Sequence, residues 1–228
     1  MKRTLGLTLL LFATLFSCMR QEKPLPAELS RAESVMWEHP DSALSILRSM
    51  PQSSLSIGKN YATWALLLAQ ARDKVYGKRL PDSLNIPSSD KLVQDAMDYF
   101  EKEGDLKRMA QTYYYKGQLL KDQKKITEAM PFFLKSKEMM TKLDEPLFTY
   151  LICQSLGNMY RYQDLYEESL VQLKDAYQYA LRSGNGERIS YALSELGRTY
   201  VHKNEMDSAL FYFGKSLDNA QRLGNIEL

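Results

Sequence analysis

The sequence predicts an all-α repeat protein built from antiparallel helix pairs, and three observations predict it. The first is a register of 40 residues in which Gly117, Gly157 and Gly197 align. Leu120, Tyr160 and Tyr200 align with them, as do Ala129, Ser169 and Ala209, then Phe133, Leu173 and Phe213. The second is spacing inside a unit: Leu193, Leu196-Gly197 and Tyr200 recur at intervals of three, four and seven, which makes one apolar stripe along a helix. The third is punctuation, since Gly104-Asp105, Asp144-Glu145, Gly184-Asn185 and Gly224-Asn225 mark joints at the same interval. Chance would not hold small residues and aromatics in register over so many columns.

From the N-terminus, Lys2 and Arg3 precede an uncharged apolar run from Leu5 to Phe16. The run is too short to span a bilayer as a permanent helix and has the form of a signal-peptide core, so residues 1–17 are set outside the fold. It ends in Leu15-Phe16-Ser17-Cys18, which resembles the lipobox of bacterial lipoproteins, although Phe16 is bulkier than the usual occupant. That resemblance implies cleavage before Cys18 and acylation of its thiol, where each buried methylene would add about 0.8 kcal/mol of membrane affinity. An ordinary secretory signal or an uncleaved anchor is the competing reading. Residues 18–26 are polar with two prolines and read as a tether.

Residues 27–103 read as N-terminal helix pairs. Ala27 to Trp37 and Asp41 to Met50 form a short pair, and Asp41-Ser42-Ala43-Leu44 repeats the tetrapeptide Asp207-Ser208-Ala209-Leu210. Tyr61, Trp64, Leu67-Leu68 and Ala71 then make a first-helix stripe, with Leu92-Val93, Ala96 and Phe100 as its partner. Between them Gly77 to Ser89, with Pro81, Pro87 and several serines, reads as an inserted loop.

Residues 104–228 carry the repeats. Each second helix is expected to open at Thr127, Glu167 or Asp207 as a cap-like residue, with Pro131 in the first turn. Glycine within a helix costs about 1 kcal/mol against alanine, so Gly117, Gly157 and Gly197 imply close helix crossings. Ile226-Glu227-Leu228 stands where another first helix would begin, so the last unit reads as truncated with apolar surface exposed.

The columns Leu193, Leu196-Gly197, Tyr200, Ala209, Phe213 and Ser216 resemble the tetratricopeptide repeat, with the usual period of about 34 lengthened to 40. Lys116 and Ser169 depart from that pattern. The wider arrangement resembles tetratricopeptide lipoproteins of Gram-negative bacteria. The resemblance implies a right-handed superhelical solenoid whose first helices line a concave groove. Carried onto this sequence, the groove positions are Gln111, Tyr114, Gln118 and Lys121, then Gln154, Asn158, Arg161 and Tyr162, then Tyr191, Ser194, Arg198 and His202. Amides can bond an extended backbone, aromatics give anchoring area, and Arg161 and Arg198 could clamp a carboxylate. Of the family's carboxylate-clamp pattern only Asn158 is matched, because Tyr114 stands where that subgroup has lysine.

Composition narrows the function. Loss of Lys2 and Arg3 with the signal reduces the 30 basic side chains to 28, balancing 28 acidic ones, so a general basic field for nucleic acid is not expected. His39 and His202 are the only histidines and neither has a second ligand at metal spacing. Cys153 falls in the apolar stripe column of Tyr113 and Leu193 and reads as core, and Gly184-Asn185-Gly186 lacks the lysine of a phosphate loop. No enzyme activity, cofactor or metal is expected. The expected function is a protein-interaction scaffold or sensor arm, membrane-anchored at the cell envelope, that binds a peptide or partner domain in the groove. The alternative is a glycan-capturing lipoprotein of nutrient uptake.

Overall fold

The computed structural model describes residues 24–51, 55, 58–76 and 89–224. The signal segment, Cys18 and most of the tether lie outside these residues, as do 77–88 of the inserted loop and the last four residues. Among the described residues there are ten α-helices and no strand. α1 (Ala27–Val35) and α2 (Pro40–Ser49) form the short first pair, followed by α3 (Lys59–Tyr76) and α4 (Ser89–Glu103). The repeats follow as α5 (Leu106–Asp122) with α6 (Ile126–Lys142), α7 (Pro146–Tyr162) with α8 (Tyr166–Ser183), and α9 (Gly186–His202) with α10 (Met206–Arg222). Each helix packs on its neighbour in sequence, which is the solenoid arrangement.

The joints obey a rule finer than the 40-residue period. Lys124, Asp144, Asp164, Gly184, Asn204 and Gly224 all have positive φ, and Gly104 begins the series, so a left-handed residue ends a helix every 20 residues. That residue lets the next amide fold back on the helix it leaves: Lys125 N–H donates to Leu120 C=O, Glu145 to Met140, Leu165 to Tyr160 and Glu205 to Tyr200, at 2.9–3.1 Å. The same geometry corrects the expected helix starts. The second helices begin at Ile126, Tyr166 and Met206, so that Lys125, Leu165 and Glu205 stand at the N-caps, two residues before the expected ones, and none of them makes a side-chain capping bond. The acidic Glu167 and Asp207 sit in the first turn, where they face the positive helix end without capping it. Pro131 is accordingly the sixth residue of α6, two residues deeper than expected and past the first turn, and removes the donor that the exposed Thr127 carbonyl would otherwise receive. Side-chain caps occur on α5 and α9, where Asp105 and Asn185 accept from the amides of Arg108 and Arg188 at 3.0 Å.

Helix crossings explain the glycine column. A Cβ on Gly197 would lie 2.7 Å from the Phe213 ring, one on Gly157 2.6 Å from Leu173, and one on Gly117 3.0 Å from Phe133. The core runs from Leu29 on α1 through Phe100, Phe133 and Ile152 to Met159, with smaller clusters around Cys153 and around Leu170, Leu173 and Leu196. At the last pair the stack stops being covered. Leu170 on α8 is 4% exposed beneath α9, whereas Leu210, its equivalent on α10, is 69% exposed beside Phe211 and Leu217.

The first pair does not simply extend the row. Glu33 on α1 pairs with Arg108 on α5 at 2.6 Å, and Trp37, in the turn after α1, packs edge-on against Phe148 of α7 with ring centroids 5.5 Å apart. The turn between α1 and α2 therefore reaches across to the first helices of the repeats.

Candidate functional site

The groove positions inferred from the sequence fall into three groups. Gln111 and Tyr114 are buried. Gln111 accepts from Arg108, and the Tyr114 hydroxyl accepts from the Gln118 amide at 3.0 Å while its ring meets Tyr115, Phe133 and Phe148 edge-on. Burial drives the Tyr114 phenol well above its ordinary range and keeps it neutral. Both residues are part of the wall and offer little surface to a partner: Phe148 packs on the Tyr114 ring, and Arg108, paired with Glu33 of α1, reaches Gln111.

The second group remains accessible. Gln118, Lys121, Gln154 and Asn158 are half-buried and Tyr191 is exposed. Lys121 and Ser155 both donate to the Gln118 carbonyl oxygen. Asn158 differs from these: its carbonyl oxygen Oδ1 is buried and accepts no hydrogen bond from any described residue. The third group lies at the margins. Tyr162 is exposed, Ser194 turns toward α10 with its hydroxyl 2.9 Å from that of Ser216, and the His202 ring stacks on Tyr166 at the start of α8.

Arg161 and Arg198 converge on a carboxylate, but it belongs to the chain itself. Glu195 on α9 is 1% exposed, with Oε2 2.7 Å from Arg161 Nη2 and Oε1 2.8 Å from Arg198 Nη1. Arg161 is 8% exposed and also donates to the Glu195 backbone carbonyl at 3.4 Å. The Arg161 contact is close but poorly aligned, so Oε2 receives no directed hydrogen bond. The expectation that both arginines stand free to clamp a ligand is thus corrected: Arg161 ties α7 to α9, and Arg198 retains an exposed side chain on the near side of the same acid. Sequence reasoning missed Glu195. Its signal was a carboxylate in the column of Tyr115 and Ser155, between Leu193 and Leu196, where a buried charge requires a cation on the facing helix.

Cys153 is buried, and burial raises its thiol to about 11 even though Lys137 lies beside it. No group of three or more His, Cys, Asp or Glu side chains is placed to hold a metal ion among the described residues, and no described helix is long and apolar enough to cross a membrane.

No protein-family model matches the sequence, and no curated protein matches it. Solved structures do. BtubC from P. vanneervenii superposes with a TM-score of 0.59 at 15% identity, covering 89% of this chain and 77% of that one. The kinesin light chain TPR-like repeats of Podosopora anserina give 0.60 at 11% identity, covering 88% and 96%. A Rap protein solved in complex with competence and sporulation factor gives 0.68 at 14% identity, covering 85% of this chain, which spans 53% of that protein. Identities this low establish a shared fold.

Proposed function

From this tetratricopeptide-like solenoid we propose a protein-interaction function, in which the first helices of the repeats hold a partner polypeptide along the groove. The observation that carries the proposal is the Asn158 carbonyl oxygen, buried at the groove and receiving no hydrogen bond from any described residue. A buried acceptor left without a donor costs roughly 1–3 kcal/mol, and a ligand amide would supply that donor. Gln154 and Tyr191 lie on the same two helices and offer an amide and an exposed ring as neighbours. The Rap protein complexed with competence and sporulation factor supports a binding role for such a scaffold. Placement at the cell envelope rests on the lipobox-like Leu15-Phe16-Ser17-Cys18 alone.

The test uses the Cys18→Ser chain to recover partners from envelope extracts, beside Cys18→Ser carrying Asn158→Ala and Tyr191→Ala. Truncation of an anchoring side chain costs about 2 kcal/mol, so the double replacement should weaken capture about thirty-fold or more at unchanged helicity. Equal capture by both proteins would remove the groove as the binding surface. Arg161 is left intact in this design because its loss would strike the fold.

A further inference from the structure

The uncovered side of α10 has the form of a helix-binding face, and we infer that it packs against α10 of a second copy of this chain, with the two helices antiparallel. The inference is independent of the groove. Along α8, Leu170 and Leu173 are covered by Leu196 of α9, which follows after a two-residue joint and so runs back along α8. The same register on α10 falls on Leu210 and Phe213, and Leu217 continues it where α8 has Tyr177. Leu210 is 69% exposed, Met206 and Leu217 are 50% exposed, and Phe213 is half-buried where Leu173 is buried outright. Phe211 belongs to a different line, because its equivalent Val171 stays 57% exposed even with α9 in place.

Three features of α10 identify its occupant. The first is Gly214, which shares a side of the helix with Leu210 and Leu217. A Cβ on Gly117, Gly157 or Gly197 would strike a side chain of the crossing helix, whereas one on Gly214 would meet nothing within 4 Å. Glycine weakens a helix interior, so this gap has a packing reason only where a further helix comes close. The second feature is symmetry about the midpoint between Phe213 and Gly214: Leu210 mirrors Leu217, and Met206 mirrors Gln221. An antiparallel copy therefore sets Leu210 of each chain against Leu217 of the other and brings the two Gly214 together at the centre, which is the self-matching that a two-fold contact requires. The third is charge. Asp207 lies in the first turn of α10 and Arg222 in the last, so antiparallel helices bring acid beside base at both ends and oppose their dipoles. A parallel copy would instead set Asp207 against Asp207. One helix pair is a small interface, so association should depend on concentration.

The test is made in intact cells with the full chain. Two differently tagged copies are co-expressed, one carrying Leu210→Cys and the other Leu217→Cys, and a mild oxidant is added. The mixed pair should give a disulfide-linked dimer on a non-reducing gel and neither substitution alone should, because like positions then stand seven residues, about 10 Å, apart along the axis, beyond disulfide reach. Gly214→Leu fills the place of closest approach and should lower the yield about ten-fold. Leucine also favours a helix over glycine, so that loss cannot be ascribed to unfolding. Asp207→Arg should lower the yield about three-fold, and Arg222→Asp added to the same chain should restore it. Absence of the mixed dimer, equal linking by Leu210→Cys alone, or linking to a different protein in place of a second copy overturns the inference. Each of these outcomes leaves the groove reading untouched.

Discussion

A single buried carboxylate organises the middle of the repeats. Glu195 is held by Arg161 across the helix interface, so Arg161→Ala leaves an acid inside the protein with only Arg198 to answer it. Breaking a buried pair from one side costs about 3 kcal/mol, whereas replacing both partners by apolar residues of similar size is close to neutral. Urea unfolding should therefore show a large loss for Arg161→Ala and recovery in Arg161→Met with Glu195→Leu; an unchanged midpoint in the single variant would show that the pair is dispensable. Lys74 gives the opposite sign. Its ammonium is lowered in the folded state from 10.5 to about 8, so it opposes folding below about pH 8 and that opposition fades as pH rises toward 10.5. Lys74→Arg stays charged throughout. Wild type should gain stability relative to Lys74→Arg between about pH 7 and about pH 9.5, read from the two urea midpoints, and a constant difference would refute the lowered value. Neither residue was legible in advance. A charge reads as solvated until the facing helix is known, and the cation that meets Glu195 lies 34 positions away in sequence.

Individual helices were the most legible part. Apolar stripes such as Leu193 to Tyr200 and the glycine column located the repeat helices, because a residue without a side chain inside a helix has a reason only where another helix crosses. Gly197→Leu is the sharp test. Helix propensity would return about 1 kcal/mol, but the new side chain would begin 2.7 Å from the Phe213 ring, so net destabilisation is expected in thermal unfolding. A neutral or stabilised variant would contradict the crossing. Helix starts were less legible: Thr127, Glu167 and Asp207 have the residue types of caps, yet the turn chemistry is set by left-handed Lys124, Asp164 and Asn204 and by the amides that fold back after them. The joints between units, at Gly104, Asp144, Gly184 and Gly224, showed in the register, whereas those within units, at Lys124, Asp164 and Asn204, share no residue type that would align them.

At the scale of the whole molecule, the repeat architecture followed from the register, while the shape of the groove did not. The first helix pair reads from the sequence as one more unit in the row. In the structure its turn sends Trp37 to Phe148 and Glu33 to Arg108, contacts spanning 111 and 75 residues that no local periodicity encodes. As a result Gln111 and Tyr114 become wall, and the accessible groove is centred on α7 and α9 around Asn158 and Tyr191. The most direct measurement is site-specific photocrosslinking in intact envelopes, with a benzophenone side chain at Tyr191 in one strain and at Val171, on the exposed face of α8, in another. The account predicts a discrete adduct from position 191 that disappears when Asn158 is replaced by alanine, and none from position 171. An adduct from position 171 alone, or one from position 191 indifferent to Asn158, would contradict it.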